Sequence, residues 1–263
     1  MVTAERAAEL ARSWSDELRL LLGPTLVGVY LHGSLALGDF VPGHSDVDLL
    51  VVERGFVPAA IRRMALEFWA KRSTEIGAGR DAHAGVEVSH VGWGAWRDGP
   101  RIPYTLHYSE AHRDQAEALG AASADPSPPV GGGRDLDLPA HFTVMAARGI
   151  RVMGPAWSSV VPAVPRRWYL ESLGYDFDDA PASSPSTVLN ACRTLRYLES
   201  GYVGSKGEGG RWLLDRSDEG WHALVHRAMA ARRQGLAILE DASGSEEFRE
   251  RARAALASAL AAS

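Results

Sequence analysis

Along the first half of the chain the apolar positions fall into short runs, and along the second half they recur every three or four residues. Leu26 to His32 is a run rich in branched and aromatic residues that stops at Gly33, which predicts a buried strand. Asp48 to Val52 and Val86 to Val91 predict two more. Between them, Pro58 to Lys71 has helical spacing, with Ile61, Met64, Ala65, Phe68 and Trp69 expected on one side and a proline near its first turn. From Ala121 to Asp135 proline, glycine and serine crowd together, so a surface loop is expected there before helical spacing resumes from Leu138 to Ala147.

The stretch from Gly154-Pro155 to Pro165, with Pro162 inside it, reads as the crossing into a second domain. Beyond it the pattern is helical: Arg166 to Leu173, Thr187 to Ser200, Arg211 to Arg216, Glu219 to Gln234 and Glu246 to Ala261. Leu189, Cys192, Leu195, Tyr197 and Leu198 give the second of these a broad apolar face, and Gly201 suits its C-terminal cap. The expectation is an α+β domain over residues 1–157 and an all-α helical bundle over 158–263, with the ligand cleft between them.

Composition narrows the class of partner. With 263 residues, 46% of them hydrophobic, the chain can bury its cores without staples. Its single cysteine, Cys192, cannot close an internal disulfide, and a reducing cytoplasm is the expected location. Met1 to Gly23 mixes charges among apolar residues like a soluble amphipathic helix, and no stretch approaches the roughly 18 apolar residues of a membrane span. The net charge of −5, with basic residues scattered, excludes a protein built to neutralise a nucleic-acid backbone and favours a small cationic partner. A monomer is expected.

The chemistry concentrates between Gly33 and Val52. A strand stops at Gly33-Ser34, a short loop follows, and Ser45-Asp46-Val47-Asp48 enters the next strand. Residues two apart in a strand share a face, so Asp46 and Asp48 project together and repel unless a cation sits between them. Oxygen ligands of this kind suit Mg²⁺, which binds one or two carboxylates and completes its shell with substrate phosphates. Glu87 interrupts an otherwise apolar strand, which is costly unless it too faces a metal or a donor, making it the third acid. Gly33 lets backbone approach a phosphate, and the Ser34 hydroxyl suits the β- and γ-phosphates of a nucleotide. Together these parts describe in-line attack on an α-phosphorus with two metal ions. Whether Glu87 is a base or a metal ligand stays open on these grounds.

The order Gly33-Ser34-Leu35-Ala36-Leu37-Gly38, Pro42, Ser45-Asp46-Val47-Asp48 and Glu87 resembles the nucleotidyltransferase superfamily, and within it the streptomycin and spectinomycin adenylyltransferases. Asp135-Leu136-Asp137-Leu138, Gly154-Pro155, Val188-Leu189-Asn190-Ala191-Cys192-Arg193, Gly201 and Ser205-Lys206 resemble later segments of that family. The resemblance implies a nucleotidyltransferase fold with a mixed sheet, followed by a helical domain that closes over ATP. It implies Asp46, Asp48 and Glu87 as metal carboxylates, Glu87 also as general base, and Gly33, Ser34, Ser45, Arg193 and Lys206 as nucleotide-binding residues. The reaction implied is transfer of AMP from Mg-ATP to an antibiotic hydroxyl, releasing pyrophosphate and conferring resistance.

Composition adds weight to Lys206: among 28 lysines and arginines only Lys71 and Lys206 are lysines, and Lys206 stands in what reads as a glycine-rich turn, Gly204 to Gly207. Streptomycin-modifying members place a tryptophan and an aspartate where this chain has Ala111-His112 and Ser183-Ser184, so spectinomycin is the expected acceptor. Asp176, Asp178 and Asp179 are expected in the loop between domains. Two other readings of the same residues stand beside this one: a nucleotidyltransferase acting on a protein hydroxyl or another small molecule, and a non-catalytic nucleotide sensor.

Overall fold

The computed structural model describes residues 1–55, 57–77, 84–122, 131–216 and 219–263. It divides into two compact units, Met1–Asp135 with Val144–Ala163, and Leu136–Thr143 with Val164–Ser263. Most of the expected loop from Ala121 to Asp135 lies outside the described residues. Among the described residues no helix is long and apolar enough to cross a membrane.

The first unit opens with α1 (Ala4–Leu22) and continues through β1 (Leu26–Leu31), α2 (Gly33–Ala36), β2 (Val47–Glu53), α3 (Ala59–Ile76) and β3 (Val86–Gly92). It goes on with β4 (Ile102–Tyr104), β5 (Leu106–Tyr108), α4 (Arg113–Ala122) and β6 (Gly133–Asp135). Helix α5 (Leu138–Arg148) belongs to both units, its first residues to the second and its last to the first; β7 (Ile150–Met153) and α6 (Trp157–Val160) follow. The main sheet has the order β5-β3-β2-β1-β7, and β4 pairs with β6 apart from it. Only β2 and β3 are parallel, with α3 as their crossover; the other pairs are antiparallel, so the sheet is mixed as expected.

Strand alternation sorts the residues of β2. Val47, Leu49 and Val51 face a core built from α1, α3 and α4 with Trp14, Leu18, Leu66, Trp69, Val86 and Val88, while Asp48, Leu50 and Val52 face the other way. In α1 the spacing of Ala7, Leu10, Ala11, Trp14, Leu18 and Leu22 makes one buried stripe, and Thr3 caps its start by accepting Arg6 N–H at 3.3 Å. Helix α3 runs on to Ile76, and its buried residues are Ala65, Leu66, Trp69, Ser73 and Ile76. Met64, expected on that side, is exposed, because this stripe lies one residue round the helix from it.

The core of the first unit also holds a buried acid. Glu53 Oε1 meets His90 Nδ1 at 2.6 Å, Thr105 donates to Oε2 at 2.8 Å, and the Trp69 indole donates to His90 Nε2 at 2.7 Å. An indole N–H can only donate, so His90 Nε2 is the acceptor and Nδ1 carries the proton given to Glu53. Burial pushes the Glu53 carboxyl up, but the imidazole and the Thr105 hydroxyl facing it prevail and hold it below its ordinary value.

The second unit holds α7 (Arg166–Asp179), α8 (Pro185–Ser200), α9 (Lys206–Leu214), α10 (His222–Arg233) and α11 (Ser245–Ala261), and shows no strand among its described residues. Leu170, Leu173, Phe177, Val188, Leu189, Cys192, Val225, Phe248 and Leu256 form its core. Three expectations change here. Helix α7 passes through Gly174, where an added Cβ would meet only Leu256 at an ordinary 3.5 Å, so Asp176 lies on a helix and not in a loop. Helix α9 begins at Lys206, so Gly207, Gly209 and Gly210 are buried helical glycines and not part of a turn. Serine Ser184 is the N-cap of α8, accepting Ser186 N–H at 3.3 Å.

Candidate active site

The acidic residues gather where β1 ends and β2 and β3 begin. His32 N–H donates to Asp48 O at 3.0 Å, fixing the end of β1 beside the start of β2. The chain then turns at Gly33, whose φ of 54° suits glycine, and an added Cβ there would collide with the Asp48 carboxylate. Ser34 N–H, at the start of α2, donates to Asp48 Oδ2 at 3.2 Å. The Ser34 hydroxyl itself is buried and makes no hydrogen bond.

Register brings in the third acid. Asp48 pairs directly with Glu87 across the parallel strands β2 and β3, so the two carboxylates are neighbours on one face, the face away from the helical core. Asp46 stands just before β2, and its Oδ1 accepts Gly85 N–H at 2.8 Å. Ser45 serves the loop: its hydroxyl accepts Val41 N–H at 2.9 Å, and its own N–H bonds Val41 O at 2.9 Å. Among the described residues no group of three or more His, Cys, Asp or Glu side chains is drawn together around a metal position. Asp46 and Asp48 each direct an oxygen at a backbone amide, which relieves like charges that share one strand end.

The cationic residues gather in the second unit. Arg193 on α8 meets Asp176 on α7 at 2.9 Å, and Lys206 at the start of α9 donates to Ser186 at 3.2 Å. Asn190 adds a bond of 3.4 Å to the same Asp176 oxygen. Burial pushes the Asp176 carboxyl up, Asp137 pushes it further, and Arg193 and Lys206 oppose them without prevailing. Burial lowers the Arg193 guanidinium's pKa, but Asp176 outweighs this and raises it; its Nε is buried without a hydrogen bond. Asp137, just before α5, holds His141 at 2.9 Å and receives the Ser172 hydroxyl on its carbonyl at 3.2 Å.

Packing explains how α9 lies against α8, with Lys206 on Ser186 and Gly209 against Arg193. An added Cβ at Gly209 would lie 2.6 Å from the backbone nitrogen of Arg193, and one at Gly210 would lie 2.9 Å from Met229 Sδ. Only glycine lets α9 press this closely on α8, despite its cost of about 1 kcal/mol per helical position. A capping box fixes the start of α9: Ser205 accepts Glu208 N–H at 3.0 Å and Glu208 accepts Ser205 N–H at 2.8 Å. The Ser-x-x-Glu spacing of Ser205 and Glu208 was the sequence signal for a helix start there.

The site's residues fall within segments that match known families. Residues 13–86 match the model of the nucleotidyltransferase domain, which covers Gly33, Ser34, Asp46 and Asp48 and ends one residue before Glu87. Residues 159–258 match the model of the aminoglycoside adenylyltransferase C-terminal domain, which covers Asp176, Arg193 and Lys206. No curated protein matches the chain in sequence. Among solved structures, the spectinomycin adenyltransferase AAD(9) from Enterococcus faecialis, with ATP and spectinomycin, is similar in fold, with a TM-score of 0.72 at 18% identity over 95% of this chain and 98% of that one. With both family segments present in this order on one chain, the protein belongs to the aminoglycoside adenylyltransferase family of the nucleotidyltransferase superfamily.

Proposed function

We propose that this protein transfers AMP from ATP to a hydroxyl of an aminocyclitol or aminoglycoside antibiotic, with spectinomycin the favoured acceptor. The observation that carries the reading is the register pair of Asp48 and Glu87 beside the buried, unbonded Ser34 hydroxyl. Two carboxylates side by side suit a divalent cation, and a buried hydroxyl with no hydrogen bond beside them suits a phosphate oxygen carried by that cation.

The donors are all hard oxygens, which fits Mg²⁺, and Asp46, Asp48 and Glu87 are the residues that would hold two such ions. When bound, they would neutralise charge on the attacking and leaving oxygens. The Ser34 hydroxyl then donates to a phosphate oxygen, and Gly33 keeps that approach open. Arg193 and Lys206 bind phosphate oxygens, with Asp176 holding the guanidinium in place. Glu87 takes the proton of the acceptor hydroxyl as that oxygen bonds to the α-phosphorus and the bond to pyrophosphate breaks. The enterococcal enzyme solved with spectinomycin supports the choice of acceptor, as does the use of Ser184 as a helix cap, which leaves no anion there for a guanidinium-bearing drug.

Purified protein supplied with ATP, Mg²⁺ and spectinomycin should release pyrophosphate in step with adenylylated drug, and Asp46→Asn should abolish it while the protein stays folded. Streptomycin should turn over more slowly; equal rates would overturn the preference for spectinomycin. ATP binding by calorimetry with no pyrophosphate from any antibiotic of the class would support a nucleotide sensor instead.

A further inference from the structure

We propose that Ser73 and Glu110, neither of which reaches the acid corner itself, are positioning residues that aim Asp46. The link between them is Gly85. Its N–H donates to Asp46 Oδ1 at 2.8 Å and its carbonyl accepts Val47 N–H at 2.9 Å, so one glycine holds both the side chain of Asp46 and the backbone just after it. Where Gly85 sits is decided from behind. The next amide, Val86 N–H, donates to the fully buried Ser73 hydroxyl at 2.8 Å, and that hydroxyl donates to Glu110 Oε1. A Cβ on Gly85 would lie 2.5 Å from Glu110 Cγ, so the backbone rests directly on the glutamate.

Glu110 is held too firmly to be an incidental neighbour. Arg113 clasps it with two bonds of 2.8 Å, from Nε to Oε2 and from Nη2 to Oε1, and the Tyr108 hydroxyl donates to Oε1 at 3.0 Å. Burial pushes the Tyr108 phenol up to about 12, so it remains a donor. The chain of bonds therefore runs from Arg113 and Tyr108 through Glu110, Ser73 and the backbone at Gly85 and Val86 to one carboxylate oxygen of Asp46, all within the first unit. Groups that orient a metal-binding carboxylate typically alter metal affinity or rate by about 10- to 100-fold when removed. The inference rests on the reading of Asp46 as a metal-binding residue.

The probe is Mn²⁺, titrated by electron paramagnetic resonance onto the full chain with a non-hydrolysable ATP analogue, beside the Mg²⁺ dependence of spectinomycin adenylylation. Ser73→Ala and Glu110→Gln should each raise the Mn²⁺ dissociation constant and the Mg²⁺ needed for half-maximal rate by about 10-fold or more, with KM for spectinomycin unchanged. In an Asp46→Asn background the same substitutions should cause no further shift in Mn²⁺ affinity, since their effect passes through that carboxylate. Should Ser73→Ala not fold, Glu110→Gln and the milder Tyr108→Phe keep the side-chain shape and carry the test. Variants that lose melting temperature but keep wild-type Mn²⁺ affinity, or whose shift persists on Asp46→Asn, would show a purely structural tie and overturn the inference. Wild-type Mn²⁺ affinity and turnover in Asp46→Asn alone would instead remove the reading of the acid corner, and this inference with it.

Discussion

The two groups of candidate residues, one in each unit, are built by opposite means. The acid corner of the first unit rests on strands: a parallel register sets Asp48 beside Glu87, and backbone amides of Ser34 and Gly85 hold the carboxylates. The cation cluster of the second unit rests on helix packing, where glycines in α9 admit the backbone of α8 and Asp176 reaches Arg193 from α7. A sheet places side chains by hydrogen-bonded register, so such a site tolerates changes in side-chain volume around it. A site made by close helix contact depends on the absence of a few atoms.

That contrast can be broken at three points. The largest effect is expected for Asp48→Asn, which should cut adenylylation by about 10³-fold, the size associated with losing a group that stabilises transition-state charge. Its melting temperature should hold or rise, because the substitution removes repulsion from Glu87; a protein that unfolds instead would show the carboxylate to be structural. Next comes Gly209→Ala, where helix propensity alone predicts a gain of about 1 kcal/mol. Collision with the Arg193 backbone should reverse the sign, giving a loss of about 2 kcal/mol by denaturant melts and a raised KM for ATP. A more stable variant with unchanged KM would deny that close packing makes the cluster.

The smallest is Glu53→Gln, which probes the sheet's buried acid and should cost about 1.5 kcal/mol at neutral pH. Because the folded carboxyl is held below its ordinary value, its stabilisation is present above pH 4.5 and lost as pH falls through the lowered value. The variant's stability should therefore fall less steeply with acid than that of the parent, read from melting temperatures between about pH 6 and pH 3. Equal acid slopes would place the pH dependence elsewhere.

The same contrast decides what could be read from sequence. Gly33-Ser34 and Asp46-Val47-Asp48 lie within one strand-loop-strand segment, so the bond from Ser34 N–H to Asp48 follows from two adjacent strands and the short loop that joins them. The register that pairs Glu87 with Asp48 needs the crossover of α3 and was visible only as an acid in the wrong place. In the second unit, helix α7 was expected to stop at Gly174 and the start of α9 was read as a turn, because local propensity sets glycine against helix and carries no information about which backbone will lie opposite. The three- and four-residue strands β4 to β7 fall below the length at which alternation is distinguishable from chance. Ser73 gave no signal, since a serine in an amphipathic helix looks like any other, and nothing local in the sequence tied Glu110 to it.

Helix α5 is shared, its first turns counted with the second unit and its last with the first, and Asp137 just before it accepts the Ser172 hydroxyl of α7. The gene is therefore not two interchangeable cassettes. Any single recombination joint between two such genes leaves at least one unit assembled from both parents, so clean exchange of the second unit demands three joints, one before codon 136 and one at each end of codons 144 to 163.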